Sequence, residues 1–380
     1  MTGLLAGVEV VDLSRVLAGP FAAQALAELG ADVVKVESPD GDPARRIGPF
    51  VGGRSLYFAS LNTGKRSVVL DLATASGRNA LDALLDRADI VIENFRPGAG
   101  ERLGVDGRRL AARHPQLVVV SVPGYASASQ RGDDPAYDLV VQAESGIMAV
   151  TGEQGRAPVR AGVPIGDLAA GLWAAIAAVA GYVSRLRTGS GRHIEAPLFD
   201  ATLTMLSYIA TIAAGTGVDP PPVGSGHHTE VPYGAYPTRN GWVAVAVIGD
   251  KFWPPLLEAL GLGGSGVAEL TSNDGRSHKR GEVDAAVATA LAALTTEEAC
   301  TRLAAAGVPH APVLSVLSAL GAPYVAERGL VVEVDGDVRY QRVRGPIGEG
   351  VLRPAPGLGE HTAEIMAELI DRGVSPADGP

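Results

Sequence analysis

The 380-residue sequence predicts an α/β protein: a large domain on a parallel sheet, and a smaller α/β domain beyond a Pro/Gly-rich break. Three observations predict it. The first half carries short, almost wholly apolar strand-like runs, which suits strands covered on both faces. Helix-like stretches separate those runs, as parallel strands require. The segment Gly215–Gly226 (GTGVDPPPVGSG) then interrupts the pattern and reads as a linker.

The elements follow in order. Val8–Asp12 reads as a strand, Pro20 opens a helix that Gly30 stops after Leu29, and Asp32–Glu37 is the next strand. Ser67–Leu72 is a third, and a helix over Ala75–Arg87 leads into the strand Asp89–Glu93. Gln116–Val122 follows a further helical stretch. Ligands of such sheets gather beyond the carboxyl ends of the strands, here Ser14–Gly19, Glu37–Pro43, Asn94–Gly98 and Val122–Tyr125. No G-x-G-x-x-G or Walker pattern is present, so an ordinary dinucleotide or ATP site is not indicated.

Leu168–Arg187 is long and apolar, broken by Gly171 and Gly181, and ends in Arg185, Arg187 and Gly189-Ser-Gly191 as a helix C-terminus does. It is the nearest approach to a membrane span, but an Asp at one end and arginines at the other fit a buried helix. Beyond the linker, Gly241–Val247 is a strand, with helices over Lys251–Leu260 and Asp284–Ala305, and Thr295-x-x-Glu298 is a capping box. Irregular structure over Gly345–Gly359 precedes a closing helix at Thr362–Leu369. The expected organisation is therefore 1–214, a linker 215–226, a small domain 227–320, and a segment 321–380 returning to the large domain.

Composition narrows the function. Hydrophobic content of 46% with 19% charged residues describes a globular chain, and 5% aromatics means a core of small and β-branched residues. A net charge of −10 argues against nucleic acid and anionic membranes as partners. The seven histidines lack metal-ligand spacing, so no metal is expected, and the lone Cys300 excludes an intramolecular disulfide. The N-terminus lacks a basic stretch followed by a long apolar one, and a cytoplasmic location is expected.

Asp167 is the strongest chemical signal. It lies in Gly162–Gly171 (GVPIGDLAAG), where the long helix begins. At a helix N-terminus the macrodipole and free N–H groups are expected to hold a carboxylate ionised. Gly162, Pro164 and Gly166 reduce side-chain bulk on the approach, as a ligand-facing carboxylate would need. On position alone the favoured reading is an N-cap that only satisfies backbone donors.

Several fragments in order resemble one family over nearly the whole chain. They are Leu4–Leu13 (LLAGVEVVDL), Leu29–Glu37 (LGADVVKVE), Leu61–Ser67 (LNTGKRS), Glu93–Gly98 (ENFRPG) with Arg102-Leu-Gly104, the Asp167 run, and Gly359–Thr362 (GEHT). The chain resembles the class III CoA-transferases, which include formyl-CoA and carnitine CoA-transferases and, as a branch, the α-methylacyl-CoA racemases. The resemblance implies a Rossmann-like large domain, an interlocked ring-like homodimer, acyl-CoA and carboxylic acid substrates, and no tightly bound cofactor, coenzyme A being a substrate. It implies that Asp167 is a nucleophile carrying covalent aspartyl intermediates. It points to Asn94, Phe95 and Arg102 as coenzyme A contacts, with Lys65, Arg66, Lys35 and Tyr137 nearby. His227 and His228 fall where the family places a Gly-rich loop over the site, and an exposed linker is the equal alternative.

The sequence also departs from the family pattern. Leu17 stands where formyl-CoA transferase has a Gln, its four-glycine loop is not reproduced after Gly224, and Gly124–Ser129 (GYASAS) replaces a Gly-Gln-x-Gly-Pro stretch. Tyr137-Asp138 occupies the place of the racemases' His-Asp pair, and a phenol with an ordinary pKa of about 10 is a poor base near neutrality. A transferase is therefore the expected activity, with a racemase or a non-catalytic CoA-binding protein as the alternatives.

Overall fold

The structure is a computed structural model that describes residues 3–348 and 353–371. It contains two compact units. The first takes the described residues to Ile147, Ala161–Ser207 and those from Tyr324 onward; the second takes Met148–Arg160 and Tyr208–Pro323. The second unit thus begins inside the expected 1–214 domain. Of the expected linker, Gly215 and Thr216 close a helix, Tyr208–Thr216.

The first unit is built on six parallel strands: Glu9–Asp12, Asp32–Glu37, Arg66–Val69, Ile90–Glu93, Val118–Ser121 and His193–Glu195. Taken in chain order as 1 to 6, they lie in the sheet as 3-2-1-4-5-6, the Rossmann order. The apolar runs explain the two-sided burial. Val10, Val33, Ile90, Ile92, Val118 and Val120 enter one core, while Val11, Val34, Val36, Val68, Val91 and Val119 enter the other, as a period of two requires. Helices Ala75–Arg87 and Thr362–Asp371 contribute to the second core.

The first core is almost all alanine and valine. It is closed by helices Ala18–Glu28 and Ile165–Thr188, whose inward faces carry Ala22, Ala23, Ala170, Ala174 and Ala178. Two glycines set how closely the long helix lies. A Cβ on Gly171 would come within 2.7 Å of the Ala18 carbonyl oxygen, and one on Gly181 within 2.5 Å of Val118. Among the described residues this is the helix long and apolar enough to cross a bilayer, yet its Ala/Gly stripe packs into the sheet core. Its outer face exposes Leu172, Trp173, Ile176, Val183 and Leu186.

The second unit holds a three-stranded antiparallel sheet, His310–Pro312, Gly241–Ala246 and Tyr233–Thr238 in that order. Helices Trp253–Leu260, Arg280–Ala292 and Thr296–Ala305 cover it around Val243, Val245, Leu256, Val287 and Leu303. The helical stretch expected over Asp284–Ala305 is two helices, the second opened by the expected capping box, in which Thr295 and Glu298 cap each other reciprocally.

Candidate active site

The strand order reverses between Glu9–Asp12 and Ile90–Glu93, and a crevice must open beyond their carboxyl ends. A cleft of about 490 Å³ lies there. Arg15–Ala18 come from the loop and helix start after the first strand, Asn94–Arg96 from the loop after the fourth, and Val122–Gly124 from the loop after the fifth. Pro43, Ala136, Tyr137, Asp167 and Leu198 complete much of the wall. All four strand-end loops marked in the sequence reach this cleft.

Asp167 sits in the first turn of Ile165–Thr188, behind Pro164, which gives no side-chain cap. The cap comes from another helix: Asp138 Oδ1 accepts the Gly166 N–H at 2.9 Å, and Gln142 Nε2 donates to Asp138 Oδ2 at 2.7 Å. Gly166 has no room for a side chain, since a Cβ would lie 2.8 Å from Val141 and 2.9 Å from Thr202. Its glycine serves packing between helices, not ligand approach. The expectation of a carboxylate held ionised by the helix terminus is corrected as well. Burial, and then the Asp138 carboxylate, push Asp167 up to about 7. Tyr57 shares this environment: burial, Asp167, Asp42 and Asp138 raise its phenol to about 12.

Of the expected coenzyme A contacts, Asn94, Phe95 and Tyr137 line the cleft with Asp167. Asn94 grips the facing loop, with Oδ1 accepting from the Arg15 N–H and Nδ2 donating to the Arg15 carbonyl, both at 2.8 Å. Phe95 is fixed by its backbone N–H, which donates to Glu93 at 2.9 Å, and the Arg15 guanidinium lies 5.1 Å from its ring centre. Burial raises the Glu93 carboxyl to about 7. Tyr137 is exposed at the rim and accepts from Arg96 Nη2 at 3.1 Å. Arg102 is exposed in the last turn of Pro97–Leu103 and is outside the cleft lining.

Three expected contacts are corrected. Lys65 is fully buried, and its ammonium donates to Asp12 (2.7 Å), the Pro20 carbonyl (2.9 Å) and Asn62 (2.9 Å). Lys35 is fully buried too, bound to the Ser14 carbonyl at 2.8 Å and paired with Asp42 at 2.9 Å. Arg66 bridges Asp32, Glu364 and Glu368, tying the C-terminal helix to the sheet. None of the three presents a free donor to a phosphate. Arg96 is among the strand-end cations that the sequence offers for coenzyme A; Arg15 is one that it did not single out. Both line the cleft, and neither makes an ion pair among the described residues. The signal was available, because both sit in loops that follow apolar strands.

A crevice at the switch point of a Rossmann sheet, with a half-buried carboxyl and cations that make no ion pair among the described residues, suits an anionic substrate. A sequence model of CoA-transferase family III matches residues 5–362. The chain belongs to CoA-transferase family III. Its relatives include the succinate–glutarate CoA-transferase of Agrobacterium fabrum, 36% identical over 98% of both chains. The succinyl-CoA:mesaconate CoA-transferase of Haloarcula marismortui is 32% identical over 98% of both. The human succinyl-CoA:glutarate CoA-transferase is 32% identical over 96% of this chain and 86% of that one. A CaiB/BaiF family protein from Brucella suis has a crystal structure that superposes with a TM-score of 0.87, at 34% identity over 97% of this chain and 100% of that one. This family III chain is thus a CoA-transferase, and the expected reaction class and fold class stand.

Proposed function

We propose that this enzyme moves coenzyme A between dicarboxylic acids through covalent intermediates on Asp167. The observation that carries the reading is the Asp167 carboxyl in the switch-point cleft, which Arg15 and Arg96 also line without an ion pair among the described residues. A carboxylate oxygen of Asp167 attacks the thioester carbonyl, forming an aspartyl anhydride and expelling coenzyme A as thiolate. The thiolate attacks the Asp167 carbonyl, giving an aspartyl thioester and releasing the donor acid. The acceptor carboxylate then attacks that thioester, and the thiolate returns to the acceptor's acyl carbonyl, which restores Asp167. Each step exchanges one acyl bond for another of similar energy, so water must be kept out. The partial burial of Asp167 serves that end.

The relatives named for succinate, glutarate and mesaconate support dicarboxylates as donor and acceptor. A second carboxylate on the substrate needs a cation, and Arg96 at the rim, backed by Tyr137, is available for it. Asn94, Phe95 and Arg15 form the wall against which the coenzyme A chain lies. A second copy of the chain covers the exposed apolar face of Ile165–Thr188, consistent with the homodimer that the family resemblance implies.

Mass spectrometry after incubation with succinyl-CoA tests the reading. A coenzyme A adduct mapped to Asp167, discharged by glutarate or mesaconate, is the expected result. Near-normal transfer by Asp167→Ala would sink it.

A further inference from the structure

Val16 is a β-branched residue in the left-handed region, with φ of 69°. Such residues rarely occur there, and the conformation persists only where surrounding structure enforces it. The surroundings here are all side chains. The Ser14 N–H donates to Asp12 at 2.9 Å and the Ser14 carbonyl accepts from Lys35 at 2.8 Å. Arg15 is held at both N–H and carbonyl by Asn94, and the Val16 N–H donates to Asp42 at 3.1 Å. Gly19 lets the loop double back, since a Cβ on it would lie 2.3 Å from Ser14 Cβ.

Asp12, Lys35, Asp42 and Lys65 form a fully buried ionic group beneath this loop. Buried ion pairs add little net stability, because desolvation offsets their attraction. Their retention therefore needs another reason, and the backbone they hold supplies one: Val16, Leu17 and Ala18 line the cleft that contains Asp167. We propose that Asp42 and Lys35 are positioning residues for the transfer reaction, holding Val16 in its left-handed turn so that the start of the Ala18–Glu28 helix is set against the reacting groups. Both side chains are fully buried. Both act through the conformation of residue 16. The proposal rests on this cleft being the active site, and not on which group within it is the nucleophile.

Glycine adopts the left-handed region without cost, so the clamp should matter less when residue 16 is glycine. The test compares kcat/KM for CoA transfer from succinyl-CoA to glutarate in four full-length enzymes: wild type, Asp42→Asn, Val16→Gly and the double variant. Asp42→Asn keeps the side-chain shape and removes the charge that pairs with Lys35. The expected loss from Asp42→Asn is about tenfold with valine at position 16 and under about threefold in the Val16→Gly background. An equal loss in both backgrounds, or no loss in the first, overturns the proposal. Thermal unfolding of the same proteins checks that each is folded, and Lys35→Met takes the place of Asp42→Asn if that variant is not. Rescue without any adduct on Asp167 would overturn the nucleophile assignment alone, whereas an adduct without rescue would overturn the clamp alone.

Discussion

Replacing Asp167 by asparagine keeps the shape of the side chain and removes its titration. The carboxyl is raised from 3.8 to about 7, first by burial and then by Asp138. At 1.36 kcal/mol per tenfold change in proton affinity, the rise is worth about 4 kcal/mol of preference for the neutral acid. The sign follows from proton binding: the folded chain holds this proton between pH 4 and 7 and the unfolded chain does not. Stability from it is present below the unfolded pKa and is lost as pH rises through 7. Between pH 5 and pH 8 the wild type should lose about 2.5 kcal/mol relative to Asp167→Asn. Denaturant unfolding of both proteins at several pH values in that range measures the difference directly, and groups elsewhere cancel in the comparison. A gap that stays constant with pH, or widens in favour of wild type as pH rises, would refute burial as the dominant influence and restore the helix terminus as the stronger one. Under the proposed mechanism the same titration governs chemistry. Only the ionised form attacks, so transfer should rise with pH through about 7 in the wild type.

Asp138→Asn removes the second cause of that shift while keeping the cap on Gly166, and the rising limb of the pH–rate profile should move to lower pH. Gly171→Ala places a Cβ 2.7 Å from the Ala18 carbonyl, which should cost about 1–3 kcal/mol in thermal unfolding and lower kcat by displacing the first turn that carries Asp167. Arg96→Gln should raise KM for dicarboxylate acceptors while leaving monocarboxylate acceptors little changed; an equal effect on both would remove Arg96 as the distal anchor. Arg66→Ala should destabilise the chain by about 2 kcal/mol, since its acidic partners are partly exposed, and leave coenzyme A affinity unaltered by calorimetry.

Much of the architecture was legible. Asp32–Glu37 and Ala75–Arg87 have the bounds their patterns predict, because apolar runs and helix periodicity are local properties. The four ligand loops were legible for the same reason, as they only require knowing where strands end. The division into units was less so. Met148–Arg160 packs with residues from Tyr208 onward, and nothing in its composition marks that. Three short strands, His193–Glu195, Val331–Val334 and Tyr340–Val343, carry too few residues for a period to show. Gly166 was read as clearance for a ligand, whereas three neighbours from other helices fix it as glycine. Such neighbours cannot be seen along the chain.

The charged residues show most plainly where the sequence stops informing. A chain of net charge −10 that handles coenzyme A must keep some cations free of its own acids, and counting arginines and lysines near strand ends cannot say which. Lys35 and Lys65 lie within fragments that carry the family resemblance, yet both are buried, Lys35 in its strand and Lys65 just before the next, and they pair with Asp42 and Asp12. Arg15 and Arg96 each lie three residues past the end of a strand, at Asp12 and Glu93, line the cleft, and make no ion pair among the described residues. The inward cations hold the backbone, and in the proposed reaction the outward ones meet the ligand. The outward pair lies beyond the strand ends, where ligands of such sheets gather. In this chain the buried Lys35 is therefore scaffold, and the cations just past the carboxyl ends of the strands are the ones the proposed reaction assigns to the ligand.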